Sequence, residues 1–151
     1  GWELAQELIE KFGEVKELYE VALPLAQRAF EELKIENREQ VGELNQALSF
    51  VAFELKSKLS QLTDMIEQKC ESYQLDKKIT LLVEKYSVTE KEKILECLHY
   101  TMQQEREWHK SLMMYRCLAE AKMETVETIL EVWQHEAMEE GKNSRLINKK
   151  L

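Results

Sequence analysis

A chain of 151 residues is long enough for one domain and short for two of ordinary size. Hydrophobic residues make up 44% and charged residues 33%, which is too apolar for a disordered chain; 4 glycines and 1 proline supply few of the tight turns that a sandwich, barrel or doubly wound sheet needs. The formal charge of -8 argues against nucleic acid as a partner and weakens any case for an anionic membrane surface.

The first helix is predicted from Gly1 to about Lys34. Ala5, Leu8, Phe12, Val15, Tyr19, Ala22, Ala26, Ala29 and Leu33 recur at alternating steps of three and four, which puts them on one face. Pro24 lies inside this run. Because proline removes a backbone hydrogen bond and crowds the preceding turn, a kink or a helix restart is expected near residues 20–24.

Asn37 to Gln40 reads as a capping-box variant, so a second helix should begin there. Its apolar seam is Val41, Leu44, Leu48, Val51, Leu55, Leu59, Leu62, Ile66, Cys70 and Tyr73. The stretch 75–88 has three readings: a loop, a short fourth helix near 76–86 capped by Asp76, or a continuation of helix two. Thr89 to Glu92 is a T-x-x-E capping box, and no Gly or Pro follows until Gly141, a natural helix stop. This predicts a third helix of about 50 residues with the seam Leu98, Thr101, Glu105, Trp108, Leu112, Tyr115, Ala119, Lys122, Val126, Ile129 and Trp133. The fold class is therefore all-α: an up-down-up bundle of three long helices with coiled-coil-like packing. Residues 1–141 form a single domain, and 142–151 a basic, frayed tail.

In three places the helices lose their polar face: around Val21 to Ala26, around Ser49 to Phe53, and from Leu112 to Met123. Turning the chain at 35–36 sets residue 22 opposite 49. A second turn midway between Gln74 and Thr89 sets 49 opposite 114, so all three apolar belts come level. A three-helix bundle leaves outward faces wet, and apolar outward faces call for a second copy or a partner protein. Leu23, Leu25, Phe50, Phe53, Met113 and Met114 are the docking candidates. The same register leaves 127–140 with no helix two beside them, roughly 20 Å of helix at 1.5 Å per residue. That stretch carries Ile129, Leu130, Val132, Trp133, Ala137 and Met138, so Ile129, Leu130 and Trp133 are expected to form the principal association surface.

Signals for chemistry are sparse. Neither a Rossmann-type nor a Walker-type glycine loop occurs. Glu96-Cys97-Leu98-His99 has the Glu-x-x-His spacing of di-metal bundles, but a second copy and inward Glu residues on other helices are missing, so no metal or cofactor is expected. Glu105 is the one carboxylate in a seam, read as a solvated residue at a bundle end or a buried register device. Cys70, Cys97 and Cys117 are odd in number and widely spaced, which fits free thiols in a reducing compartment. No run of 18 or more apolar residues and no signal peptide is seen, so a cytoplasmic location is expected.

The expected function is a non-catalytic protein-protein interaction or scaffolding module, acting by helix docking and as a homodimer. Three long helices, the first interrupted by Pro24, are distantly similar to the layout of curved membrane-binding dimers of the BAR type. That resemblance implies membrane remodelling as the alternative function. It is a likeness of helix count and length, and the cationic concave face of that family has no counterpart among residues 1–36 or 89–140, which are net acidic. A metal-binding helical bundle is the third reading.

Overall fold

A computed structural model describes the backbone of residues 2–150 and the side chains of 5–135 and 138. In chain order it holds α1 (Trp2–Lys34), α2 (Arg38–Ser72), α3 (Ile79–Leu82), a 3-10 turn (Val83–Lys85) and α4 (Val88–Lys150), with no strand among the described residues. The three long helices pack against one another as an all-α bundle. By compactness the chain divides into two units, residues 1–115 and 116–151.

Within the first unit the core follows the sequence periodicity closely on α1. Ala5, Leu8, Phe12, Val15, Tyr19, Ala22, Ala26 and Ala29 are all buried, and Leu33 is half-buried where the helix ends. The helix runs through Pro24 without a restart. Pro24 is exposed, so water can reach the turn that loses its hydrogen bond. On α2 the buried side chains include Leu44, Leu48, Val51, Leu55, Leu62 and Cys70. The α4 contribution is Ile94, Thr101 and Trp108. Thr101 meets its polar requirement locally, its Oγ1 donating to the Cys97 carbonyl at 2.8 Å. Lys69 is buried too, its stem in the core and its Nζ 3.4 Å from Glu7 Oε2.

Both helix ends that reverse the chain use a left-handed residue that is not glycine. At the end of α1, Glu36 has φ 58°, and the Asn37 N–H donates to the Glu32 carbonyl at 3.0 Å. At the end of α2, Gln74 has φ 57°, and the Leu75 N–H donates to the Cys70 carbonyl at 2.9 Å. These six-to-one bonds are Schellman closures, which satisfy carbonyls left open by the helix end. Asn37 then caps α2 as expected, its side chain accepting from the Gln40 N–H at 3.4 Å.

The stretch 75–88 is neither a continuation of α2 nor a plain loop. It forms α3 and the 3-10 turn, with Leu82 and Val83 buried against the core. The residue capping α3 is Lys78, not Asp76, and it offers no side-chain hydrogen bond. The capping box of α4 also lies two residues before the expected one. Ser87 Oγ accepts from the Glu90 N–H at 3.2 Å, and Glu90 Oε1 accepts from the Ser87 N–H at 3.3 Å. Ser87 and Thr89 each head a box, and the earlier one wins because helix can extend back to Val88 without breaking a seam.

One expected helix end is also corrected. Gly141 does not end the last helix, which runs to Lys150. A glycine in a helix interior costs only about 1 kcal/mol, and no proline follows to enforce a stop. The side chains of the basic tail 142–151 and of Ala137 lie outside the described residues.

The register between helices also departs from the level-belt pairing. On α1 and α2 the polar pairs fall later on α2 than the level-belt pairing: Glu14 meets Lys58 rather than Ser57, Lys11 meets Gln61 rather than Ser60, and Glu7 is reached by Lys69 rather than Asp64. Between α2 and α4 the pairing slips as well, since the Tyr115 hydroxyl donates to Asn45 Oδ1 where Leu118 was expected. The cause is local. Helix α2 ends at Ser72, two residues earlier than assumed, and α4 starts at Val88, one residue earlier, which moves the pairing by three. Lys16 lies over the Tyr100 ring at 5.1 Å rather than beside Trp108, its long side chain reaching further along α4 than the shift in pairing alone would take it. The third belt is displaced, and Met114 sits with Ala26 and Phe30 instead of level with Ala22.

Candidate interaction surface

In the first unit the docking candidates separate into two kinds. Leu23 and Leu25 are half-buried and pack against the core, so little of either is offered to a partner. Val21, which was not singled out, is the exposed apolar residue at that level, at 53%. Phe50 and Phe53 are fully outward, 67% and 68% exposed. They fall three residues apart on α2, away from the stripe of Leu48, Val51 and Leu55 that enters the core. Met113 and Met114 on α4 are exposed as well.

A cleft of about 270 Å³ opens between α1 and α4 in this unit. Ala26, Phe30 and Met114 supply its apolar lining; Gln27, Glu31, Glu107, Lys110 and Ser111 supply polar groups. Of this set the sequence offered Met114 as a docking candidate and Ala26 as a seam residue; finding the rest requires the register between two helices distant in sequence.

The titratable groups of the first unit are arranged for structure. Burial pushes the Tyr19 phenol up to about 12, and the Glu105 carboxylate adds to the effect. Glu105 is mid-bundle rather than at a bundle end. It is half-buried and lies 3.5 Å from His109 Nε2 one turn along. Burial also raises the Cys97 thiol, with Glu96 contributing, which is the opposite of the shift that activates a nucleophilic cysteine. Cys70 is buried, Cys117 exposed, and all three cysteines are free. Glu96 and His99 are both exposed, and no group of three His, Cys, Asp or Glu among the described residues is placed to hold a metal ion. No helix among the described residues is long and apolar enough to cross a membrane.

The second unit is helical from Arg116 to Lys150, and none of its described side chains is buried. Ile129, Leu130 and Trp133 are 43%, 45% and 63% exposed. They are joined by Met123 and Val126, at 58% and 45%, and by half-buried Ala119. Ala119, Met123, Val126, Leu130 and Trp133 step by four, three, four and three residues, so they form one narrow stripe along the helix, with Ile129 at its edge. Met123 and Leu130 replace Lys122 and Ile129 of the expected seam, which makes the stripe continuous hydrocarbon. A shallow groove along it is flanked by Glu120, Glu124 and Glu127. Comparison with protein-family models, with curated proteins and with solved structures gives no match to this chain.

Proposed function

We propose that this chain is a non-catalytic helix-docking module that pairs the apolar stripe of residues 119–133 with another helix, in a reducing compartment such as the cytoplasm. The observation that supports the reading is the stripe itself: five apolar residues in heptad spacing with Ile129 at their edge, none of them buried by their own unit. A side chain of the size of Ile129, Leu130 or Trp133 forgoes roughly 1.5–3 kcal/mol when left in water, so the stripe favours association. Phe50 with Phe53 and Met113 with Met114 add smaller apolar surfaces on the first unit. Free thiols at Cys70, Cys97 and Cys117 fit a reducing compartment.

The test is native mass spectrometry of the full chain isolated from expressing cells together with whatever associates with it. The double variant Leu130→Glu, Trp133→Glu serves as comparison. The wild type is expected in assemblies above the monomer mass, and the variant at the monomer mass with unchanged helix content. Identical mass distributions for the two would rule out docking through this stripe.

A further inference from the structure

We infer that the helix seated on this stripe is the same stripe of a second copy of the chain, parallel and in register; the inference rests on the reading of residues 119–133 as a docking surface. In heptad terms Met123 and Leu130 take the a positions, and Ala119, Val126 and Trp133 the d positions. A seam of this kind is covered by a helix of the same spacing and length. In a parallel self-pair every layer meets its own residue, so the match is built in.

The flanking charges choose the orientation. Lys122 falls at a g position and Glu127 at the next e position, five residues on. A parallel, in-register pair sets Lys122 of each copy against Glu127 of the other, which gives two attractive pairs related by the symmetry axis. An antiparallel pair centred on the same stripe sets Glu127 against Glu127. Ile129 occupies the next g position, where it extends the apolar layer toward the uncharged Gln134 at e.

The area is sufficient and not generous. With Met123, Val126, Ile129, Leu130 and Trp133 between 43% and 63% exposed, each copy offers roughly 500 Å² of side chain, so the pair with its rims reaches the ~1,200 Å² lower edge of specific interfaces. A dimer at this lower edge is expected to be a weak one, and Leu130 with Trp133, the one aromatic residue of the stripe, carries most of its affinity.

Two measurements on the purified full chain test the inference. In sedimentation equilibrium at about 100 µM the wild type is expected as a dimer. Leu130→Glu with Trp133→Glu is expected as a monomer of unchanged helix content, its association weakened at least about a hundredfold. In a Cys117→Ser background, Ala119→Cys places a thiol at a d position near one end of the stripe. Mild oxidation is expected to link the two copies through residue 119, because that layer meets itself only in the parallel arrangement. A wild type that is monomeric at this concentration overturns the inference. So does a dimer that ignores the double variant, or one that forms no link through residue 119. A purified monomer whose stripe variant still loses a heterologous assembly in native mass spectrometry would overturn the second copy while leaving the docking module standing.

Discussion

Replacing Gln74 by glycine is expected to stabilise the protein, although it removes a side chain and adds no contact. Gln74 closes α2 with φ 57°, a left-handed conformation that costs an L-residue about 1–2 kcal/mol. The conformation is held by the Schellman closure, with the Leu75 N–H on the Cys70 carbonyl at 2.9 Å and the Gln74 N–H on the Glu71 carbonyl at 3.0 Å. Glycine adopts this φ freely but loses about 0.5–1 kcal/mol more backbone entropy on folding. The difference leaves a gain of about 0.5–1 kcal/mol. The Gln74 side chain is exposed, so little packing is lost with it. Urea denaturation measures the effect: with a slope near 2 kcal/mol per molar, the midpoint should rise by about 0.3–0.5 M. Gln74→Ala serves as control, because alanine keeps the Cβ and the strain, and should show no such rise. A Gln74→Gly midpoint at or below wild type, or an equal rise with alanine, would show that the left-handed closure stores no strain at this residue.

Three other outcomes follow from the core, the caps and the charges. Phe12→Ala, at a side chain only 2% exposed, should cost about 3–5 kcal/mol in the same urea assay. Ser87→Ala removes the capping-box acceptor for the Glu90 N–H and should cost about 1 kcal/mol, read as a fall in thermal midpoint. The Glu14 carboxyl is held below the usual carboxylate range, first by its hydrogen bond to Lys11 and then by Lys58. A lowered folded-state pKa contributes stability above the unfolded-state value and loses it as pH falls through the folded one. Glu14→Gln should therefore be less stable than wild type at neutral pH, and the gap should close on acidification; a gap that persists in acid would show that the ion pair is not its source.

How far the sequence could be read differs between helices, for physical reasons. On α1 every expected seam position but Leu33 is buried, because one neighbour on each side of a single amphipathic stripe leaves no choice of face. On α4 the expected seam began at Leu98 and so missed Ile94, one turn earlier and fully buried. Of its eleven positions only Thr101 and Trp108 are buried, since the seam was carried past the residues that α1 and α2 cover. The chain reversals at Glu36 and Gln74 carry no glycine, the residue that usually marks a left-handed closure, so nothing in the sequence announced their geometry. The closure at Gln74 fixes where α2 stops, and a two-residue error there, with one more at the start of α4, displaced the whole third belt. Exposed Phe50, Phe53, Met113 and Met114 were legible as hydrophobes off the seam. Leu23 and Leu25 were not, because their burial depends on which neighbour each flank meets. The stripe on α4 was half legible: Val126 and Trp133 lay in the seam, but a straight 3.5-residue count led to Lys122 and Ile129 where Met123 and Leu130 complete the apolar line.

Whether a second helix covers the stripe is read most directly at Trp133, which is 63% exposed in the single chain while Trp108 is buried. Fluorine NMR of 5-fluorotryptophan-labelled protein reports each indole separately, with the Trp133 resonance assigned by Trp133→Phe. The shift of that resonance between H2O and D2O measures its contact with solvent. Docking predicts a large solvent shift for Trp133 in dilute protein that collapses toward the small Trp108 value as assembly forms with rising concentration. A Trp133 shift that stays large and unchanged across the whole concentration range, in protein shown by sedimentation to associate, would place the interface elsewhere.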